Sequence, residues 1–73
     1  MNIFKMSYSE LLHTFREKNV TFETKDGRFI PAYVEEIEDE TDGWDSFMFM
    51  ITPQNPDDPI DIELNELKNI VLN

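Results

Sequence analysis

The first third of the chain changes from a helical pattern to the pattern of β-strands. Apolar residues recur at helical spacing over residues 8–15, and the pattern predicts an amphipathic helix over residues 8–18. Ser7 and Glu10 have the three-residue spacing of a capping box, so the helix is predicted to begin after Ser7. Asn19 is typical of a left-handed C-cap, so the helix is predicted to end just before it.

Residues 20–37 have the pattern of a β-hairpin. Every second residue over positions 20–24 falls on one face, and the Asp-Gly pair at positions 26–27 predicts a turn into a second strand. The apolar positions of that second strand slip by one residue between Val34 and Ile37. This slip predicts a β-bulge near Glu35.

Three further strands are predicted in the second half of the chain. Residues 47–51 are apolar on both faces, which indicates a strand covered by a barrel interior on one side and by the helix on the other. Residues 53–59 contain three prolines and are predicted to be irregular. Residues 60–64 alternate, and residues 67–72 form a short last strand. We therefore predict a mostly β (α+β) single domain over residues 1–73: the helix followed by a five-stranded antiparallel barrel over residues 20–72.

The charge of the chain is unevenly distributed. The net charge of the 73 residues is −10, and residues 1–28 hold five of the six basic residues but only four of the sixteen acids. A polyanionic remainder argues against binding to a nucleic acid backbone, whose affinity comes from Lys and Arg. It favours a cationic partner, or serves solubility alone. No apolar run approaches a membrane span or a signal-peptide core, and there is no cysteine, so we expect a cytoplasmic protein.

The densest acidic segment, residues 35–45, is predicted to be a solvated hairpin tip. Either it only keeps the protein in solution, or it is a docking surface for a basic protein. Asp61 and Glu63 belong to the same hypothesis, because carboxylates two residues apart on a strand lie ~6.6 Å apart, on the scale of successive phosphates. The candidate partner-binding residues are Glu35, Glu36, Glu38, Asp39, Glu40, Asp42, Trp44, Asp45, Asp61 and Glu63.

Other chemistry in this segment has weaker signals. Trp44 is either folded back to cap the barrel or exposed as an anchor for a partner. Residues 38–43 superficially match an EF-hand loop, but position 12 of such a loop would be Phe49 instead of a bidentate Glu, so we predict no metal site and no cofactor.

The lone His13 has no catalytic partner in the sequence, and no enzymatic motif is present. We predict a non-enzymatic protein.

The order of the predicted elements resembles that of the Sm-like (SH3-type) small barrel. VTFETKDGRFI, residues 20–30, looks like the first hairpin of such domains, and IELNELKNI, residues 62–70, looks like their closing strand-turn-strand. Among small bacterial proteins of this layout, the chain is similar to the Rof-type inhibitors of the transcription terminator Rho. The resemblance implies a helix and acidic barrel that occupy the RNA-binding surface of a basic protein.

The chain departs from nucleic-acid-binding Sm proteins where they contact RNA. Acids at positions 38–40 stand where an RNA-contacting Asn would be expected, so no direct nucleic acid binding is expected. The first hypothesis is therefore an inhibitor or nucleic-acid mimic that engages a basic, nucleic-acid-handling protein. The second is a small acidic accessory or assembly domain of phage or mobile-element type, whose apolar edge makes the specific contact. Repulsion between acidic copies opposes a ring, which favours a monomer or dimer.

Overall fold

The computed structural model describes residues 2–73, with the side chain at position 42 outside the description. One helix and five strands follow in chain order: α1 Tyr8–Phe15, β1 Asn19–Thr24, β2 Phe29–Glu38, β3 Met48–Pro53, β4 Asp61–Glu63 and β5 Leu67–Leu72. Short 3-10 turns cover Ile3–Lys5, Glu40–Asp42 and Leu64–Glu66. Within residues 2–73, no helix is long and apolar enough to cross a membrane.

All five strands belong to one antiparallel sheet. The strand order is β4-β3-β2-β1-β5, so β2 is the central strand and β4 and β5 lie at the two ends of the order. The 3-10 turn Leu64–Glu66 connects β4 directly to β5. The prediction of a mostly β protein with one N-terminal helix and five antiparallel strands is confirmed.

The predicted start of α1 is also confirmed. The Ser7 hydroxyl oxygen accepts a hydrogen bond from the Glu10 backbone N–H at 3.1 Å, and the Glu10 carboxylate accepts one from the Ser7 backbone N–H at 2.9 Å. The bond from the Ser7 N–H favours the ionised carboxylate, and the nearby Ser7 hydroxyl adds a smaller effect, so the pKa of Glu10 is held below its usual value. The capping box thus fixes where the helix begins.

The helix ends earlier than predicted, and the C-cap assigned to Asn19 is wrong. The helix stops at Phe15, the backbone takes a positive φ of 60° at Glu17, and Asn19 is the first residue of β1. Backbone pairing with β2 explains the early end. The Glu17 N–H donates to the Val34 carbonyl at 2.8 Å, and the Val34 N–H donates to the Lys18 carbonyl at 3.0 Å.

Replacing Ser7 with alanine is expected to lower the free energy of unfolding by about 1 kcal/mol, because the substitution leaves a helix N–H without its acceptor. Urea denaturation followed by circular dichroism measures the change. Ser9→Ala is the matched control, because Ser9 is exposed within the first turn of the same helix. An equal loss in both variants would contradict a specific role for the cap.

The bulge predicted near Glu35 is confirmed. The pairing of β2 with β3 shifts between Val34 and Glu36, so Glu35 is the extra residue of the bulge. Because of this shift, Val34 and Ile37 are both fully buried although they are three residues apart. The residues that flank Ile37 in the sequence, Glu36 and Glu38, therefore lie together on the opposite face of β2.

The core joins the helix to the inner face of the sheet. Phe49 of β3 makes edge contacts with Phe15 of α1 and Phe22 of β1, with ring centroids 6.5 Å and 5.5 Å apart. This differs from the expectation that the helix covers the second face of β3. Phe15 packs against the inner face, and Met50, on the outer face, stays half-exposed.

Candidate functional site

Carboxylates on two strands flank the outer face of β3. Met48 pairs with Glu38 on β2 and with Glu63 on β4, and Met50 pairs in the same way with Glu36 and Asp61. Residues directly opposite each other in a sheet share a face. The register therefore places six side chains on one surface, which we call the acidic face: Glu36, Glu38, Met48, Met50, Asp61 and Glu63.

The acidic face has the geometry of two carboxylate columns with an apolar strip between them. Neighbouring strands are about 5 Å apart, so the columns on β2 and β4 are separated by about 10 Å. Within a column, residues two apart are about 7 Å from each other. Of the two methionines between the columns, Met48 is only 5% exposed and Met50 is half-buried.

One of the four carboxylates is paired with a base. Arg16, just after α1, lies 3.3 Å from Glu36, and both side chains are nearly half-exposed. Among the side chains that the structure describes, Arg16 is the only basic group paired with the acidic face. One positive charge beside four carboxylates cancels only a small part of the negative charge. A surface pair of this kind is worth about 1 kcal/mol or less.

Neutral donors hold two of the other carboxylates. Glu63 accepts hydrogen bonds from the backbone N–H of Ser46 at 3.0 Å and from the Ser46 hydroxyl at 3.2 Å. Glu38 accepts one from the indole N–H of Trp44 at 3.1 Å. These bonds orient the two carboxylates and leave their charge in place, because neither donor is cationic.

The remaining predicted acids lie at the bulge of β2 and in the segment that connects β2 to β3. Glu35, at the bulge, accepts a hydrogen bond from the Thr52 hydroxyl of β3 at 2.6 Å. Asp39 caps the following 3-10 turn by accepting from the Thr41 N–H at 3.0 Å, and Glu40 and Asp45 are exposed. The side chain of Asp42 lies outside the described part of the chain.

The prediction that residues 35–45 form a hairpin tip is partly wrong. Glu35, Glu36 and Glu38 belong to β2, which continues to Glu38 because its backbone pairs with β3 as far as Met48. Only residues 39–47 connect the two strands. Part of the acidic segment is therefore held by the sheet, which fixes the positions of its carboxylates.

Trp44 lies at the rim of the acidic face. It follows Gly43, whose positive φ of 94° ends the 3-10 turn in the left-handed region that favours glycine. The indole is 37% exposed, and its N–H is bound to Glu38. One edge of the residue is thus held by Glu38, and over a third of its surface is open.

Sequence reasoning missed four contributors to this surface: the two methionines at its centre, Arg16 and Ser46. The β-bulge is a sequence signal for half of the acidic face, because it places Glu36 and Glu38 on the same face of β2. The pairing of β4 with β3, which brings in Asp61 and Glu63, has no signal in the local pattern. Nothing in the sequence indicates that Ser46 holds Glu63.

The other candidates from the sequence are less organised. His13 is exposed on α1. Among the side chains described in residues 2–73, no three His, Asp or Glu groups are arranged to hold a metal ion.

No protein-family model, curated protein or solved structure matches this chain.

Proposed function

We propose that this protein is a non-enzymatic binding module whose acidic face engages a basic, nucleic-acid-binding protein as an inhibitor or nucleic-acid mimic. The observation that carries the proposal is the placement of four carboxylates on one face of β2, β3 and β4, to which Arg16 is the only basic side chain paired in the described part of the chain. Oppositely charged surfaces speed association and discriminate between partners. The natural occupant is therefore a surface rich in arginine and lysine.

The arrangement of the carboxylates around an apolar group supports recognition of arginine in particular. A guanidinium binds a carboxylate through two parallel N–H···O bonds, and its plane stacks on soft apolar groups. The half-buried Met50 lies between Glu36 and Asp61 and offers such a group. Trp44 at the rim adds an aromatic of the type that dominates interface energies.

We further propose that the sheet closes into a small barrel of the Sm-like type and that the partner resembles Rho. Three features support closure: the strand order β4-β3-β2-β1-β5, the bulge in β2 and the three-residue turn that joins β4 to β5. The resemblance of the sequence to Rof-type inhibitors supports Rho as the first partner to test. In that arrangement the carboxylates would occupy a basic groove that otherwise binds RNA.

A capture experiment tests the proposal. The immobilised protein is incubated with a bacterial lysate at low and at high salt, and the retained proteins are identified by mass spectrometry, with purified Rho tested in parallel. We expect a basic, nucleic-acid-handling protein at low salt only, because salt screens exposed charges. Retention that is equal at both salt concentrations would contradict the proposal.

An exposed apolar surface keeps the second hypothesis, an accessory or assembly domain, in consideration. Phe29 and Val71 are both more than half-exposed and lie away from the acidic face. Neutralising the acidic face separates the two hypotheses. It would weaken the binding of an inhibitor and leave the contact of an assembly domain unchanged.

A further inference from the structure

The outer face of the sheet carries an apolar patch beyond the acidic face. Pro31 of β2 and Val71 of β5 lie on either side of Thr21 of β1 in the register, so both share its face. Phe29 and Tyr33 are each two residues from Pro31 on β2 and point the same way. We call Phe29, Pro31, Tyr33 and Val71 the apolar patch.

The patch is open to solvent. Phe29 is 66% exposed and Val71 is 51% exposed, and Pro31 and Tyr33 are half-buried. The apolar residues 47–51 offer no comparable surface, because they lie largely in β3, an inner strand paired with β2 and β4, and Phe49 and Ile51 are buried.

The charge around the apolar patch is balanced, unlike that of the acidic face. Arg28 lies 3.3 Å from Asp26 in the β1–β2 turn, and Lys68 of β5 lies 3.7 Å from Glu23 of β1. Each base next to the patch thus has an acid beside it. A strongly basic partner would be attracted to the acidic face and would gain nothing from the charges here.

We propose that the apolar patch is where a second copy of this chain binds, face to face about a two-fold axis. A two-fold contact is self-complementary, and each copy presents the pairs Arg28–Asp26 and Lys68–Glu23 beside the patch, so acids of one copy can meet bases of the other. The acidic face shares β2 with the apolar patch but starts beyond it, at Glu36, and extends across β3 to β4. A contact centred on Phe29 and Val71 therefore leaves the acidic face free for a basic partner.

The dimer is expected to be weak and to be strengthened by salt. Four side chains form a smaller contact than the roughly 800 Å² per partner of a standard interface, so the dissociation constant should be micromolar or higher. Each copy carries a net charge of −10, and the resulting repulsion falls as salt screens it. Binding of a basic protein to the acidic face has the opposite salt dependence.

Sedimentation equilibrium tests the dimer over protein concentrations from about 10 μM to about 1 mM, which brackets the expected affinity. We expect the mass to rise from that of the 8.7 kDa monomer towards twice that value, and to rise further in high salt. Phe29→Glu and, independently, Val71→Glu should hold the protein monomeric, since each places a charge on both sides of the contact. Circular dichroism checks that both variants remain folded.

Ile60→Glu is the matched control. Ile60 is 70% exposed and precedes β4, away from the apolar patch. This variant should dimerise like the original protein. The proposal fails if the original protein stays monomeric at the highest concentration in high salt, or if Ile60→Glu disrupts the dimer as strongly as Phe29→Glu. Neither result would bear on the acidic face, whose test is capture of a basic protein at low salt.

Discussion

Replacing Phe49 with alanine is expected to lower the free energy of unfolding by about 3 to 5 kcal/mol. Phe49 is fully buried, and its ring touches Phe15 of the helix and Phe22 of β1, so the cavity would open where helix and sheet meet. A domain of this size has a total stability of roughly 4 to 11 kcal/mol. The variant should therefore lose a large part of its stability, which urea denaturation measures.

Phe29→Ala is the control for this prediction, because it removes the same atoms from a position that is 66% exposed. Its effect should stay within about 0.5 kcal/mol. The measurement should be made on the monomer at low protein concentration, so that self-association does not contribute. If both variants lost the same stability, Phe49 could not be the centre of the core.

Neutralising three carboxylates of the acidic face should weaken binding to the captured basic protein by about tenfold or more. The variant combines Glu38→Gln, Asp61→Asn and Glu63→Gln, which keeps shape and removes three charges. Glu36 is left in place because it is paired with Arg16. Each charge pair at an interface contributes on the order of 1 kcal/mol, so three together change affinity by at least the factor given. Isothermal titration calorimetry measures it.

The control is a second triple variant that has the same net charge as the first but keeps the acidic face intact. Glu17→Gln, Asp57→Asn and Glu66→Gln remove three charges at exposed positions outside that face. This control should bind within about threefold of the original protein, because distant charges are screened. If both triple variants lost the same affinity, total charge would govern binding and the acidic face would have no special role.

Local patterns in the sequence predicted most of the fold. The Ser7 and Glu10 capping box, the hairpin of β1 and β2 and the bulge at Glu35 are all encoded within a few residues, and the structure has each of them. The end of the helix was not predictable in the same way. It depends on two hydrogen bonds with Val34 of β2, one donated by the Glu17 N–H and one accepted by the Lys18 carbonyl, which are tertiary contacts without a local signal.

The candidate site was predictable in composition but not in arrangement. The acids of β2 and β4 are about 25 residues apart in the sequence, and only the pairing of both strands with β3 brings them to one face. Counting residues identified the acidic segment but assigned too much of it to a loop. Local patterns also do not show that Met48 and Met50 lie between these carboxylates. From the sequence alone, both methionines are expected in the core.

The two proposed surfaces lie on different parts of one sheet and respond to salt in opposite ways. The acidic face, on β2 to β4, should bind best when charges are unscreened, and the apolar patch, on β2 and β5, should associate best when they are screened. This difference allows each to be measured in the presence of the other. Low protein concentration and low salt isolate the acidic face.

The role of the acidic face is tested by the salt dependence of affinity for the captured basic protein. Affinity is measured between about 0.05 M and about 0.5 M salt, a range over which the Debye length shortens severalfold. We expect a steep fall for the original protein and for the control with distant charges removed, and a much shallower fall for the variant lacking the carboxylates of Glu38, Asp61 and Glu63. An affinity that stays constant with salt would contradict this role of the acidic face.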